Sequence, residues 1–147
     1  MRITPDTSIL ARANTKAYGP AREFLATVES YGARLVVSPY LLQELARVLR
    51  YPRIQAKYRL TDEDIQEHID NIITKSDVVI PAEGRPIVLD DPNDDPIVYT
   101  AIAGQADVIC TIDKHFFDPA VLHFCARHHI RVMSDIDLLA ALRGSIT

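Results

Sequence analysis

The stretch RLVVSPYLLQELARVL, residues 34–49, decides the class of fold. It opens with RLVVS, residues 34–38, a short and mostly apolar run that is typical of a strand. Ser38 and Pro39 then favour the start of a helix, because serine accepts an amide hydrogen bond at the N-cap and proline fits the first turn. Apolar residues follow at helical spacing, and the helix is expected to end before Pro52. The stretch therefore predicts one strand followed by one helix.

The same alternation of short strands and helices extends in both directions along the chain. Further strands are predicted at residues 3–4, 77–80, 108–111 and 131–133. Further helices are predicted at residues 20–31, from Thr61, at 96–105, at 119–128 and from a Ser134 cap to Gly144, with an irregular loop at 81–91. Short strands that alternate with helices are typical of a parallel sheet covered by helix layers. We therefore expect a three-layer α/β/α sandwich with a central, mostly parallel sheet.

Length and composition are those of one folded domain. The 147 residues fit a single domain over residues 1–147, and a composition with 48% hydrophobic and 24% charged residues excludes a disordered chain. Sixteen Lys and Arg against twenty Asp and Glu give a net charge of −4, which argues against a broad basic surface that coats nucleic acid. A nuclease whose acidic centre is offset by a local basic patch remains compatible with this charge.

The expected compartment is the cytoplasm. The first residues lack the apolar core of a signal peptide, and no apolar run approaches the ~18 residues of a membrane span. The only two cysteines are Cys110 and Cys125, whose apolar or mixed surroundings favour buried thiols in a reducing compartment over a disulfide. We therefore expect a cytoplasmic protein with no membrane partner.

Four acidic residues lie at or just after the predicted strand ends. Asp6 follows the first strand and Asp113 follows the strand at 108–111, while Glu44 and Asp95 lie in or at the start of helices. Sites in such folds gather beyond the carboxyl ends of the strands. Four carboxylates at one edge would repel each other without a cation, and oxygen ligands suit Mg²⁺ or Mn²⁺. Such a centre activates water and stabilises charge at a phosphodiester.

Each of these acids also has a purely structural interpretation. Asp95 before Pro96 fits an N-cap followed by the first helical residue, and Asp6 and Asp113 fit turns at strand ends. Glu44 fits a solvated helix face: ideal helical geometry places it about 40° from Val48, on the shoulder of the apolar stripe and away from Arg47 and Arg50. The remaining acids of the loop fit turns and helix-dipole partners: Asp90, Asp91 and Asp94.

A local cluster of basic residues is the best candidate for contact with RNA. Two tyrosines, Tyr51 and Tyr58, lie among its members, and phosphate neutralisation with base stacking is what single-strand binding needs. Lys114 is a further candidate beside the acids. A solvated helix face, or a surface for an acidic protein segment, explains the same cluster. Its members are Arg47, Arg50, Arg53, Lys57 and Arg59.

Several other classes of enzyme find no support in the sequence. Neither a dinucleotide-binding GxGxxG nor a phosphate-binding GxxxxGK[ST] motif occurs, and the GxSxG motif of α/β-hydrolases is also absent. The five histidines do not form a zinc motif, since His128 and His129 are adjacent and no HxxxH occurs. A haloacid dehalogenase-type phosphatase needs a second Asp two residues after Asp6, where this chain has Ser8.

The acids, in this order, make the chain resemble the PIN-domain ribonucleases, and specifically the VapC-like toxins of bacterial toxin–antitoxin systems. The resemblance rests on MRITPDTSIL at residues 1–10, SPYLLQEL at 38–45, DDPIVYTA at 94–101 and ADVICTIDKHF at 106–116. It extends over about residues 1–142. It implies that Asp6, Glu44, Asp95 and Asp113 are the four catalytic and metal-binding acids, with Ser8 and Thr111 as supporting residues.

The resemblance also implies an activity and partners. The expected activity is Mg²⁺- or Mn²⁺-dependent endonucleolytic cleavage of single-stranded RNA. The expected partners are single-stranded or structured RNA and an antitoxin protein that covers the site. Homodimers are common in this family. Two other functions fit the same residues: a PIN nuclease that processes RNA without an antitoxin, and a catalytically silent PIN-like module that binds RNA or protein.

Overall fold

The computed structural model describes residues 1–82 and 95–144, and of Asp95 only the backbone. The strands are β1 Arg2–Pro5, β2 Arg34–Val37, β3 Ser76–Val78, β4 Val108–Cys110 and β5 Arg131–Met133. The helices are α1 Thr7–Arg12, α2 Pro20–Thr27, α3 Pro39–Leu49, α4 Pro52–Tyr58, α5 Asp62–Thr74, α6 Asp95–Ala103, α7 Pro119–Arg127 and α8 Asp135–Gly144.

The five strands form one parallel sheet in the order β3-β2-β1-β4-β5. β1 is central, with Ile3 opposite Leu35 of β2 and Val108 of β4. The chain builds the sheet outward from β1 on one side, through β2 and β3, and then returns to build the other side through β4 and β5. Because right-handed crossovers in opposite directions place helices on opposite faces, the fold is the predicted α/β sandwich. The switch point lies between β1 and β4, where such folds place their sites.

Side-chain caps begin several helices where the sequence predicts them. The Ser38 hydroxyl accepts the Leu41 amide at 3.4 Å at the start of α3. At the start of α5, Thr61 Oγ1 accepts the Asp64 amide at 3.0 Å and the Asp64 carboxylate accepts the Thr61 amide at 2.9 Å. This capping box satisfies donors that the first helical turn leaves unpaired.

The core lies on both faces of β2 and continues into α3. Leu35, Val36 and Val37 are all fully buried, which explains why this strand is continuously apolar rather than alternating. Gly104, just after α6, packs directly on this strand, since a Cβ at that position would lie 2.1 Å from Val36 Cγ1. The glycine therefore permits the close approach of α6 to the sheet.

The structure differs from the predicted elements at short helices and helix ends. α1 and α4 were not predicted, and six or seven residues give too little periodicity to detect. The helix predicted at 20–31 ends at Thr27, and a 3-10 turn over Glu29–Tyr31 leads to Gly32 in the left-handed region at φ 72°. The predicted 81–91 loop, from residue 83 onward, lies outside the described residues, as do Asp90, Asp91 and Asp94.

Both cysteines are free and buried, as predicted. Burial raises the pKa of the Cys125 thiol to about 11. Within residues 1–82 and 95–144, none of the helices is both long and apolar enough to cross a membrane.

Candidate active site

Asp6 lies at the carboxyl end of the central strand, where it also caps α1. Its Oδ1 accepts the Ile9 amide at 3.0 Å and the Ser8 hydroxyl at 2.7 Å, and its Oδ2 accepts the Thr111 hydroxyl. Only 6% of the residue is exposed. The DTS sequence places a short helix directly after β1, and this helix start fixes the orientation of the carboxylate.

Thr111 joins the ends of β1 and β4. Its hydroxyl donates to the Asp6 carboxylate and accepts the backbone amide of Asp113 at 3.0 Å. The Thr111 amide donates to the Met133 carbonyl of β5 at 2.9 Å, so the residue itself is held by the sheet. Thr111 therefore links the Asp6 carboxylate to the backbone of Asp113, which follows it by two residues.

Asp113 begins the 3-10 turn Lys114–Phe117, where its Oδ1 accepts the His115 amide at 3.0 Å. Its charge acts on Asp6. Burial raises the pKa of the Asp6 carboxyl above its ordinary value, hydrogen bonds from Thr111, Ile9 and Ser8 oppose the rise, and the charge of Asp113 adds to it. The structure therefore brings the first and fourth predicted acids together in a place that disfavours negative charge.

Glu44 lies on α3, and its position corrects the prediction that it faces away from Arg47. The two side chains form an ion pair in which Arg47 Nη2 donates to Glu44 Oε1. Residues three apart on a helix are neighbours. Both side chains are long enough to meet although their Cβ directions differ by about 60°. The Glu44 side chain is 25% exposed, so this acid lies nearer to solvent than Asp6 does.

Asp95 is the first residue of α6, whereas the sequence predicts a cap followed by a helix from Pro96. Its side chain lies outside the described part of the chain. The helix that carries it is tied to α3, because the hydroxyls of Thr100 and Ser38 are hydrogen-bonded at 2.9 Å and both residues are buried. This bond holds the start of α3, the helix of Glu44, against α6, the helix of Asp95. Sequence reasoning gave Ser38 only its capping role.

The basic candidates lie at the surface. Arg47 donates to the Tyr51 hydroxyl as well as to Glu44, and its guanidinium lies 5.5 Å from the centre of the Tyr51 ring. Arg50 donates to the Ala46 carbonyl at 3.1 Å and lies 3.9 Å from Asp62. Lys114 is exposed in the turn directly after Asp113. Lys114 places positive charge beside Asp113, whereas Arg47 and Arg50 lie toward the C-terminal end of α3.

The structure also reveals a fifth carboxylate at this edge, which sequence reasoning passed over. Asp135 begins α8, separated by one residue from the end of β5, is buried, and pairs with Arg12 of α1 at 3.2 Å. Burial raises the pKa of the Cys110 thiol, and the charges of Asp6 and Asp135 raise it further, so both acids lie near this cysteine. The available signal was an acid close to a strand end, two residues after Met133, at a position where the sequence predicts only a helix cap at Ser134.

The donor atoms of this edge suit a hard divalent cation. Asp6 and Asp113 offer carboxylate oxygens, and the pKa of Asp6 is raised mainly by burial, with the charge of Asp113 adding to the rise. Within the part of the chain that the structure describes, no three His, Cys, Asp or Glu side chains come close enough to hold a metal ion. That described part does not include the Asp95 side chain.

A parallel α/β sandwich with paired acids at its switch point belongs to the class of proteins that act beyond the carboxyl ends of their strands. Comparison with protein families identifies the member of this class: the model of the PIN domain matches residues 2–115. The chain therefore belongs to the PIN domain family. The match ends within the turn after Asp113 and does not extend to residue 142, where the predicted resemblance ends. Comparison with curated proteins gave no match, and comparison with solved structures gave none either.

Membership of this family defines a class of function. PIN domains are generally nucleases, which are hydrolases of phosphodiester bonds, and they typically use divalent metal ions. The function of this chain is accordingly of the nuclease type.

Proposed function

We propose that this protein is a Mg²⁺- or Mn²⁺-dependent endoribonuclease that cleaves single-stranded RNA, and that it is the toxin of a toxin–antitoxin pair. The observation that carries the proposal is the link from Asp6 through Thr111 to Asp113. A turn or helix cap alone does not need a buried carboxylate that accepts a hydroxyl from a residue 105 positions away. A nuclease needs both acids at a fixed separation.

The acids that would hold the metal are Asp6, Asp95, Asp113 and Glu44. When bound, a divalent ion lowers the pKa of a water molecule and neutralises charge that develops on the phosphate. The chain supplies the orientation: Ser8, Ile9 and Thr111 direct the two oxygens of Asp6. Glu44, which lies nearer to solvent, positions the attacking water or completes the ligand set. Its partner Arg47 neutralises it before substrate arrives.

RNA would lie along the basic surface of α3 and α4. Arg47 and Arg50 are exposed there, and Lys114 is exposed beside Asp113. Neutralisation of phosphates by such residues supplies affinity that does not depend on sequence. Five basic residues within residues 47–59, on a chain of net charge −4, are the local positive charge that an acidic nuclease needs.

An antitoxin would cover the acidic edge, and both proteins would act in the cytoplasm. Ile112 and Phe117 lie on either side of Asp113 in sequence and are 50% and 40% exposed. Exposed apolar side chains beside a polar site suit the edge of a protein interface. A homodimer is a further expectation of the toxin assignment, and chromatography of the purified protein tests it.

The direct test is cleavage of a labelled single-stranded RNA in EDTA, Mg²⁺ and Mn²⁺. Asp113→Asn is compared with Asp118→Asn, because Asp118 also caps a helix through its side chain, accepting the Ala120 amide at 2.9 Å. The two substitutions remove the same charge from the same kind of local bond. We expect metal-dependent cleavage by the wild type and by Asp118→Asn, and a loss of it in Asp113→Asn and Asp95→Asn.

Three results would count against the proposal. Equal cleavage by wild type and Asp113→Asn would mean that Asp113 only caps the 3-10 turn, or that a contaminating nuclease is present. Equal loss in Asp113→Asn and Asp118→Asn would indicate a folding defect. A wild type that cleaves no RNA and whose melting temperature does not respond to millimolar Mg²⁺ or Mn²⁺ would favour a silent binding module.

A further inference from the structure

One face of α3 carries exposed aromatic and basic side chains outward from the acidic edge. Tyr40, Glu44 and Arg47 are four and then three residues apart, so at 100° per residue they lie within about 60° of each other. Tyr40 is in the first turn of α3, which follows the carboxyl end of β2. Tyr51 continues the row beyond the end of the helix. Tyr40 is 40% exposed and Tyr51 is 41% exposed.

Arg47 contacts the Tyr51 side chain in two ways. Its Nη1 donates to the Tyr51 hydroxyl, and its guanidinium lies 5.5 Å from the centre of the Tyr51 ring. The same guanidinium donates through Nη2 to Glu44, so one side chain contacts both a predicted site acid and an exposed aromatic ring. The Arg47 side chain is nevertheless 58% exposed, which leaves it accessible to a ligand. The Tyr51 ring and a cation therefore lie side by side on this exposed face.

We propose that Tyr40, Arg47 and Tyr51 form a binding track for unpaired RNA, in which the two tyrosine rings stack on bases and Arg47 contacts the phosphate chain between them. The proposal rests on the proposed cleavage of RNA and adds where the strand lies and what it must expose. Tyr40 and Arg47 are two helical turns apart, about 10 Å along the axis. The track therefore leads an extended strand away from the acids toward α4.

Base stacking makes the track selective for single strands. Bases in a duplex are already stacked on each other, whereas the bases of loops and free ends present open faces. Tyrosine and arginine are also common in protein interfaces. RNA is the better occupant because Arg50, Arg53, Lys57 and Arg59 continue the positive charge beyond Tyr51 on a chain that is acidic as a whole.

The test measures RNA affinity by fluorescence anisotropy in EDTA, so that cleavage does not interfere. The probe is a labelled, unstructured oligoribonucleotide, and the corresponding RNA duplex is measured beside it. Tyr40→Ala and Tyr51→Ala are compared with Tyr18→Ala, because Tyr18 is 99% exposed and lies outside the track. Arg47→Gln is compared with Arg127→Gln, whose guanidinium also lies over a ring, 5.9 Å from the centre of Phe124.

We expect each track tyrosine to contribute to single-strand affinity. Loss of one stacked base should raise the dissociation constant roughly 5- to 150-fold in Tyr40→Ala and in Tyr51→Ala. Tyr51→Phe keeps the ring and should keep most of the affinity. Arg47→Gln should lower the slope of log K against log salt by about 0.7, the value for one phosphate contact on a single strand. Tyr18→Ala and Arg127→Gln should bind the single strand with the affinity and salt dependence of the wild type. The affinity for the duplex should be the same in the wild type and in the tyrosine variants.

Two outcomes would overturn the track: equal affinity in Tyr51→Ala, Tyr40→Ala and wild type, or an equal loss in Tyr18→Ala. If cleavage depends on metal but binding does not depend on the tyrosines, the track is wrong and the proposed nuclease activity stands. The tyrosines would then be assigned to a protein interface. Tyrosine-dependent binding without cleavage would remove the nuclease and leave the track. Circular dichroism of each variant confirms that it is folded.

Discussion

Asp6 and Glu44 are both acids predicted for one site, yet the fold holds them in different ways. Asp6 is buried and accepts three hydrogen bonds, one from a backbone amide and two from short hydroxyl side chains. Glu44 projects from a helix face and pairs with Arg47, a long side chain that is 58% exposed. Rotamer freedom is small for the donors to Asp6 and large for Arg47. The strand end is therefore set by folding, while the α3 face can rearrange when a ligand binds.

The largest predicted effect on activity comes from Asp6, at the end of β1. Asp6→Asn should abolish detectable cleavage, and the loss should exceed the roughly 10- to 100-fold cost of removing a supporting residue of a metal site. The metal-induced rise in melting temperature should disappear with it, since stabilisation by a ligand depends on its affinity for the folded state. Differential scanning fluorimetry with and without millimolar Mn²⁺, beside the cleavage assay, measures both. Retained stabilisation by Mn²⁺ would place the metal elsewhere.

The supporting threonine should have the next largest effect. Thr111→Val removes the donor to Asp6 and the acceptor for the Asp113 amide, so we expect cleavage to fall roughly 10- to 100-fold. Stability should fall by about 1–3 kcal/mol, because buried polar groups lose their partners. The matched control is Thr4→Val on the neighbouring strand, whose buried hydroxyl has no hydrogen-bond partner among the described residues. Urea denaturation should show Thr4→Val to be neutral or stabilising, and equal losses in both variants would contradict the assigned role of Thr111.

The same contrast explains which parts of the molecule the sequence could predict. The Ser38 cap and the Thr61 capping box act over three residues, so their chemistry is visible in the chain itself. The bond from Thr111 to Asp6 joins residues 105 positions apart, and only the order of the strands brings them together. The parallel fold was predicted because each short strand is followed by its own helix signal. The order β3-β2-β1-β4-β5 was not predicted, because it depends on packing between helices far apart in sequence.

Side-chain reach accounts for the rest. Ideal helical angles separate Glu44 from Arg47 by about 60°, and these angles describe Cβ directions without the length of either side chain. Asp135 was passed over for a related reason: its partner Arg12 lies on α1, a helix of six residues that no periodicity revealed. The role of Asp95 remains a prediction from the sequence. Sequence periodicity therefore predicts contacts of long side chains and the presence of short helices least well.

A buried histidine should make the stability of the fold depend on pH. His68 of α5 lies 2.8 Å from the Leu10 carbonyl near the end of α1, so Asp6 and His68 hold the two ends of one helix. Burial lowers the pKa of His68 below its ordinary value of 6.5, and the imidazole is neutral with its Nε2 proton donated. The unfolded chain takes up the proton first. Stability is therefore complete above pH 6.5 and falls as the pH drops below it, by at most about 1.4 kcal/mol per pH unit.

The measurement for His68 is urea denaturation at pH 7.5 and pH 5.5. His68→Gln should lower the stability at pH 7.5 and flatten its fall toward pH 5.5, while the exposed His123→Gln should match the wild type at both values. Carboxylates contribute to acid destabilisation in all three proteins, so the difference between variants is the informative quantity. An unchanged fall in His68→Gln would assign the pH dependence to other groups.

The smallest effect on stability should come from the α3 pair. Arg47→Gln removes the ion pair with Glu44, the bond to Tyr51 and the contact with its ring. Exposed pairs gain little, because water and salt screen the attraction and ordering two long side chains costs entropy. Hence the melting temperature of Arg47→Gln should equal that of the wild type within error, at low and at high salt. A clear drop that salt does not change would show that Arg47 supports the fold, and the freedom of the α3 face to rearrange would then have to be given up.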